Sequence, residues 1–433
     1  LPMLVAQILN VLYNIVNRIY IARIPEIGTA ALGAVGLCFP IIVIITAFSN
    51  LFGTGGAPLF SIFRGKKDPD TARRIMNTSF TMLCVCAVIL MAVGFLFARP
   101  ILILFGASAD AIVYAYPYMM LYLIGTLPSM IAVGMNPFIN AQGYSSIGML
   151  SVAIGAGTNL VLDPLFIFAL GLGVRGAAIA TVISQCISAG LVIRCLMKEN
   201  GPLKLELKKL KIYPMKLKQI MQVGIPAGFQ GVLFSLANVT VQSSINSFDD
   251  TVLVAGSSAS SSVENFVYAN VNSFYQANTA FTSQNFGAGN YKRILKIRHT
   301  AVIAGVISTT LLGWIAILFG HQLLGIYSTS PEVVQAGMLR MWFMLVVYGL
   351  DALMDVQVGS MRGIGYNVLP MLVSLVGACV FRLVWLATVF QIPAYHRIET
   401  VYIVYPISWI MTALAHGICF SFAYRKVVRN FKS

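Results

Sequence analysis

The stretch GYSSIGMLSVAIGA, residues 143–156, returns as GYNVLPMLVSLVGA at residues 365–378. Gly, Tyr, Met, Leu, Gly and Ala recur at one offset of 222. Pro2 with Pro226, Asn14 with Asn238 and Phe63 with Phe286 repeat the pairing at offsets of 223 and 224. Offsets that agree to within two residues in separate segments mark an internal duplication covering nearly half the chain. The copies are strongly apolar: 58% of the 433 residues are hydrophobic, 10% are charged, and the mean hydropathy is +0.83. A soluble domain has too little interior to hide that surface, so the chain reads as an integral membrane protein.

A spanning helix needs about 20 apolar residues. Apolar runs cover 1–22, 30–58, 75–97, 111–139, 147–170, 177–197, 220–246, 252–283, 298–320, 333–358, 368–391 and 402–424. Unpaired backbone is too costly in hydrocarbon, and these runs are too continuous for a barrel, so helices are expected. The expected fold is all-α: twelve transmembrane helices in two parallel six-helix repeats with a central cleft. Six crossings are an even number, so both repeats enter the membrane alike, related by an axis along its normal. The expected division is a lobe over 1–197, a linker over 198–219, a second lobe over 220–424 and a tail over 425–433. Twin lobes that rock about a cleft suit alternating-access transport. The chain opens on Leu1 already inside an apolar run, so further N-terminal residues are expected, and no cleavable signal pattern is visible.

The net charge is +15. Its placement excludes nucleic-acid binding. Arg64, Lys66, Lys67, Arg73 and Arg74 follow the second run. The linker is rich in lysine, Lys292, Arg293, Lys296 and Arg298 follow the eighth run, Arg362 follows the tenth, and the tail is basic. The other side carries only Arg23, Arg99, Arg175 and Arg397. This asymmetry puts the linker and both termini in the cytoplasm, facing anionic lipid. The linker LKLELKKLKIYPMKLKQI, residues 203–220, alternates Leu with charge. It reads as a solvated tether, or alternatively as a membrane-surface segment. None of the seven cysteines forms a CxxC pair, and they read as packing residues.

Polar groups inside the runs mark candidate sites. Gln7, Asn10, Asn14 and Asn17 share one face of the first span, as a wet cavity wall or as hydrogen-bonding glue. In TNLVLDPLFIF, residues 158–168, Asp163 is bracketed by apolar residues, with Asn159 one turn earlier on the same face. A carboxylate there must be paired, cation-bound or protonated, and Pro164 should bend the helix beside it. Ser235, Asn238 and Gln242 form a second stripe. The eighth run offers Glu264, a second candidate for ion exchange, with Tyr268 as an aromatic face for a cation. Asp351 and Asp355 lie one turn apart, and an Asp355–Arg382 salt bridge is the structural reading of that pair. His416 reads as a satisfied core histidine. The four histidines are scattered and only His416 lies well inside a span, which argues against an enzyme.

Four motifs, LP…LYNIVNRIYIARI, TNLVLDPLFIF, FTSQNFGAGN (281–290) and GSMRGIGY (359–366), occur in order across the two halves. With them the chain resembles the multidrug and toxic compound extrusion (MATE) family, in its prokaryotic DinF- and MepA-like branch. The resemblance implies export of amphiphilic or cationic small molecules in exchange for H⁺ or Na⁺, with no other cofactor. It also implies a cation site made by an Asp of the first helix, an Asn and an Asp of the fifth, and a Thr of the sixth. Asn159, Asp163 and Thr181 match the last three, and Pro2 matches the kink proline of the first helix. Asn17 stands where the family carries its first aspartate, and Ala22 where it often carries Gly. A Na⁺ site is thus expected at Asp163, Asn159, Thr181 and Asn17. The substrate cleft is expected at Asn14, Asn238, Gln242, Glu264, Tyr268, Asp355 and Arg382. The expected partners are a small-molecule substrate and membrane lipid, with the protein a monomer. The alternatives are a flippase for lipid-linked sugars, which would need a basic cavity, and a transport-silent membrane binding protein.

Overall fold

The computed structural model describes residues 2–25, 27–198, 201 and 203–432. Leu1, three residues of the expected linker (199, 200 and 202) and the last residue of the tail therefore lie outside the described residues. The described residues are nearly all helical and contain no strand. Two compact units are present, Leu1–Ile225 and Pro226–Ser433.

The first unit contains α1 (Pro2–Ala22), α2 (Gly28–Gly65), α3 (Pro69–Leu104), α4 (Ala109–Ile124), α5 (Thr126–Ala141), α6 (Ser145–Pro164) and α7 (Gly173–Lys198). α8 (Pro214–Asn246) begins in the first unit and continues into the second. The second unit adds α9 (Thr251–Gly287), α10 (Tyr291–Leu318), α11 (Gly320–Gly325), α12 (Pro331–Leu345), α13 (Gly349–Gly363), α14 (Val368–Ser374), α15 (Phe381–Ala387) and α16 (Ile398–Lys432). A π-helical turn, Leu375–Val380, joins α14 to α15.

Among the described residues, nine helices are long and apolar enough to cross a membrane, and up to eleven if each bent pair is one span. The chain is a multi-pass membrane protein. The pair α4 and α5 bends by 56° and the pair α12 and α13 by 49°. The first bend has a local cause. Pro128 has no N–H to give the Ile124 carbonyl, and its ring would clash there, so the helix breaks at Gly125. α9 is long but too polar to count among the eleven. Its amides find partners within the second unit: Asn270 donates to Ser308 and Thr309, and Asn278 to the Val356 carbonyl and Ser360. Such pairing lets a polar helix be buried among others.

In the first unit α2 packs on α3 and α5 around Phe52, Phe60, Met76 and Phe138. Gly53 meets Gly134 across α2 and α5, where an added Cβ would lie 2.6 Å from the Gly134 carbonyl oxygen. Without a hydrophobic drive between helices in lipid, such close backbone approach supplies much of the packing energy.

The linker differs from both of its sequence readings. Leu205 is fully buried and its N–H donates to the Leu196 carbonyl at 2.9 Å. The Tyr213 N–H donates to Thr78 Oγ1 at 3.3 Å, and the Gln142 amide donates to the Leu203 carbonyl at 3.4 Å. Leu203, Leu210 and Leu217 pack on the same core as Phe60 and Ile75. Four leucines of the alternating pattern thus face protein while Leu207 stays exposed, and the segment is docked rather than solvated or laid on lipid. Leu205→Ala is expected to lower stability by about 2–5 kcal/mol, the usual cost of emptying a buried leucine site. Thermal unfolding of the detergent-purified protein checks this, with Lys208→Ala, at an exposed position, as the unchanged control.

Candidate functional site

The first cluster joins three helices of the first unit. α6 packs against both α1 and α7. The i, i+4 spacing of Asn159 and Asp163 puts both on the buried face of α6, at 1% and 0% exposure. Asn159 donates its amide to Asp163 Oδ1 at 3.2 Å and to Thr181 Oγ1 at 3.5 Å. Thr181 donates to the Ala177 carbonyl at 2.9 Å and accepts from the Asn17 amide at 3.3 Å. All four residues expected at a cation site therefore meet.

Two oxygens of this cluster, Asp163 Oδ2 and Asn159 Oδ1, are buried without any hydrogen-bond partner. Buried polar atoms are normally satisfied, so the pair makes this cluster a candidate place for a bound ion. One carboxylate among neutral amide and hydroxyl groups gives a donor set of oxygens with a single negative charge. That suits a hard monovalent cation or a proton. No group of three His, Cys, Asp or Glu side chains able to hold a metal ion occurs among the described residues. Beside the cluster, Pro164 ends α6 and the chain continues as a π-helical turn, Leu165–Ala169, with the Leu170 N–H bonded to the Leu165 carbonyl. π turns in place of a regular helix concentrate at functional sites.

The second cluster surrounds a cavity of about 570 Å³ in the second unit. Asn238, Gln242, Glu264, Tyr268, Asp355 and Arg382 all line it, as does Ser235. Asn14, expected with them, is instead exposed on α1, and its amide donates to the Asn10 carbonyl at 2.7 Å.

Glu264 is not the free acid that the sequence suggested for ion exchange. Arg340 grips it twice, Nε to Oε1 at 2.8 Å and an Nη to Oε2 at 3.1 Å. The same arginine donates to Ser257 at 2.8 Å, and Ser260 donates to Glu264 at 3.1 Å. A bidentate pair this buried is fixed in place. The expected Asp355–Arg382 salt bridge is also absent among the described residues. Asp355 accepts from the Tyr268 hydroxyl at 3.2 Å. Arg382 donates to Ser408 at 3.0 Å and lies 4.2 Å from the Tyr405 ring centre. The packing of α15 on α16 turns the guanidinium toward an aromatic face.

Sequence reasoning missed Arg362. Counted among the loop charges, it lies within α13 at 8% exposure, lines the cavity, and donates to Tyr275 and Gln230. Its signal was the length of the polar α13, which extends past the apolar run to Gly363. Arg340 carried a plainer signal, an arginine inside MLRMWF, residues 338–343. Asp351 also lines the cavity and keeps one buried oxygen without a partner. Three arginines and three carboxylates thus share this space. His416 is fully buried among Ser374, the Met354 carbonyl and the Pro370 carbonyl, as a core histidine.

The MatE family profile matches residues 2–165 and 226–387, once in each unit. The chain is 25% identical over 334 residues to the multidrug export protein MepA of Staphylococcus haemolyticus, covering 77% of this chain and 73% of that protein. It is 23% identical over 447 residues to the probable multidrug resistance protein YoeA of Bacillus subtilis, covering 98% and 92%. Among solved structures, a MATE in complex with MaD3S superposes with a TM-score of 0.91 at 20% identity, over 99% of this chain and 95% of the other. An outward-facing multidrug resistance MATE transporter of the MOP superfamily gives 0.88 at 21% identity over the same shares.

Proposed function

Because the chain belongs to the MatE family, we propose that it is a cation-coupled exporter of amphiphilic or cationic small molecules. It works as a monomer in a bacterial cell membrane, with both termini in the cytoplasm, and is not an enzyme. Binding of Na⁺ or H⁺ at Asp163, Asn159, Thr181 and Asn17 biases the protein between outward-open and inward-open states. Such a bias requires that the ion bind one state more tightly than the other. Substrate binds the cavity of the second unit, where Tyr268 and the acids Asp351 and Asp355 can face a cation.

The observation that carries this reading is the buried Asp163 oxygen left without a partner beside the equally unpartnered Asn159 oxygen. The three arginines facing three carboxylates argue against the lipid-linked sugar alternative, because a pyrophosphate needs a basic excess.

The direct test is dye export from proteoliposomes under an imposed inward Na⁺ or H⁺ gradient. Export that collapses with the gradient supports coupling. A dye bound but never moved under either gradient supports the transport-silent alternative instead. Asn17→Asp is a further expectation. It adds a second carboxylate beside Thr181, so the two acids can share a proton. Export is expected to become more strongly pH-dependent than in the native chain, measured as initial rate across imposed pH steps.

A further inference from the structure

α6 and α7 approach closely at Gly155 and Ser188, where an added Cβ on Gly155 would lie 3.2 Å from Ser188 Cβ. Beyond that contact, toward Lys198, the two helices border a groove of about 460 Å³. Its walls are apolar: Ile147, Leu150, Ile154 and Leu191 line it, with Ile147 and Leu150 at 43% and 51% exposure. Its far end carries Arg194 and Lys198, one turn apart on α7. Both are exposed, and neither forms an ion pair among the described residues. This is the end of the first unit where Arg64 donates to the Ala141 carbonyl and Arg73 pairs with Asp70. The concentration of basic residues assigns that end to the cytoplasm.

We infer that this groove holds one anionic phospholipid. Its phosphate lies between Arg194 and Lys198, and one acyl chain runs along Ile147, Leu150 and Ile154. The apolar strip and the paired cations sit in the order a lipid presents them, headgroup toward the cytoplasm and tail toward the membrane centre. Two cations one turn apart can both bond the oxygens of a single phosphodiester, and the cytoplasmic leaflet is where anionic lipid is abundant. Free phosphate would leave the apolar strip unused. A zwitterionic lipid would bring its own ammonium against the two cations. The site is remote in chemistry from Asp163, and lipid binding is read without transport, so its failure and that of the coupling reading are distinguishable.

The experiment is native mass spectrometry of the full chain in detergent, titrated with phosphatidylglycerol or with phosphatidylcholine of the same acyl chains. One saturable phosphatidylglycerol adduct is expected, about tenfold or more tighter than phosphatidylcholine, as two cations at an anionic headgroup imply. Arg194→Gln with Lys198→Gln should reduce that preference to near unity. Leu150→Trp, which fills the strip and leaves the cations, should remove the adduct of both lipids. The substituted positions are exposed, and unchanged thermal unfolding confirms that the variants are folded. An unchanged preference in the double glutamine variant would overturn the proposal. So would displacement of the adduct by millimolar inorganic phosphate, persistence of both adducts in Leu150→Trp, or a dimer that only Leu150→Trp dissolves.

Discussion

Asp163→Asn is expected to abolish ion-driven export while leaving the protein folded. The change is isosteric and keeps a group that Asn159 can bond, but it removes the single negative charge of the first cluster. The remaining oxygens are neutral, and a neutral set holds a desolvated cation or proton far more weakly. In proteoliposomes, dye export under inward Na⁺ or H⁺ gradients should fall to the level of protein-free vesicles. Equilibrium dye binding should stay near the native value, because the cavity proposed to bind substrate is lined by other residues. A second readout needs no transport. If Na⁺ is the coupling ion, raising it to a hundred times its Kd should stabilise the native protein by about 2.7 kcal/mol, and the variant by none. If H⁺ is the ion, the same contrast should appear along a pH series. Export and ion dependence both unchanged in Asp163→Asn would mean that the cluster is a static bond.

Breaking the Glu264–Arg340 pair should cost the most stability of any single change in the second unit. Both side chains are nearly buried, at 9% and 7% exposure, and each is the other's principal partner. Arg340→Met leaves a buried carboxylate with only Ser260 as a partner, at a cost of about 3–5 kcal/mol. For a unit of this size that corresponds to a fall in Tm on the order of 10 °C. Glu264→Gln paired with Arg340→Met removes both charges and should recover most of the loss, because the desolvation cost disappears with the ions. Differential scanning fluorimetry of the three proteins in one detergent makes the comparison. A single variant that melts with the native protein would show that water reaches the pair. The pair would then be free to serve the ion exchange that the sequence suggested for Glu264.

The membrane-helical class was legible because it rests on composition and on lengths of apolar runs, and the duplication because it rests on a nearly constant offset. The candidate cation cluster was legible in part for a covalent reason. Asn159 and Asp163 are one turn apart on one helix, and helical geometry alone puts them on one face. Thr181 and Asn17 joined them through family resemblance, since nothing local in either helix says which neighbour it meets.

What the sequence by itself determined, then, was whatever depends on periodicity along one segment: the spans, the repeat, the polar stripes and the buried carboxyl of the fifth span. Only the tertiary structure decided which charges are neutralised and by whom. Glu264 took Arg340 rather than a coupling ion, Arg382 took Ser408 and the Tyr405 ring rather than Asp355, and all linker leucines but Leu207 took the core of α2 and α3 rather than solvent. These partners lie tens of residues apart, and their meeting is fixed by how each helix is rotated and tilted against its neighbours. A turn of α15 by a fraction of a residue would aim the same guanidinium elsewhere. That rotation is set by the packing of all the side chains at once, which no single stretch of sequence contains.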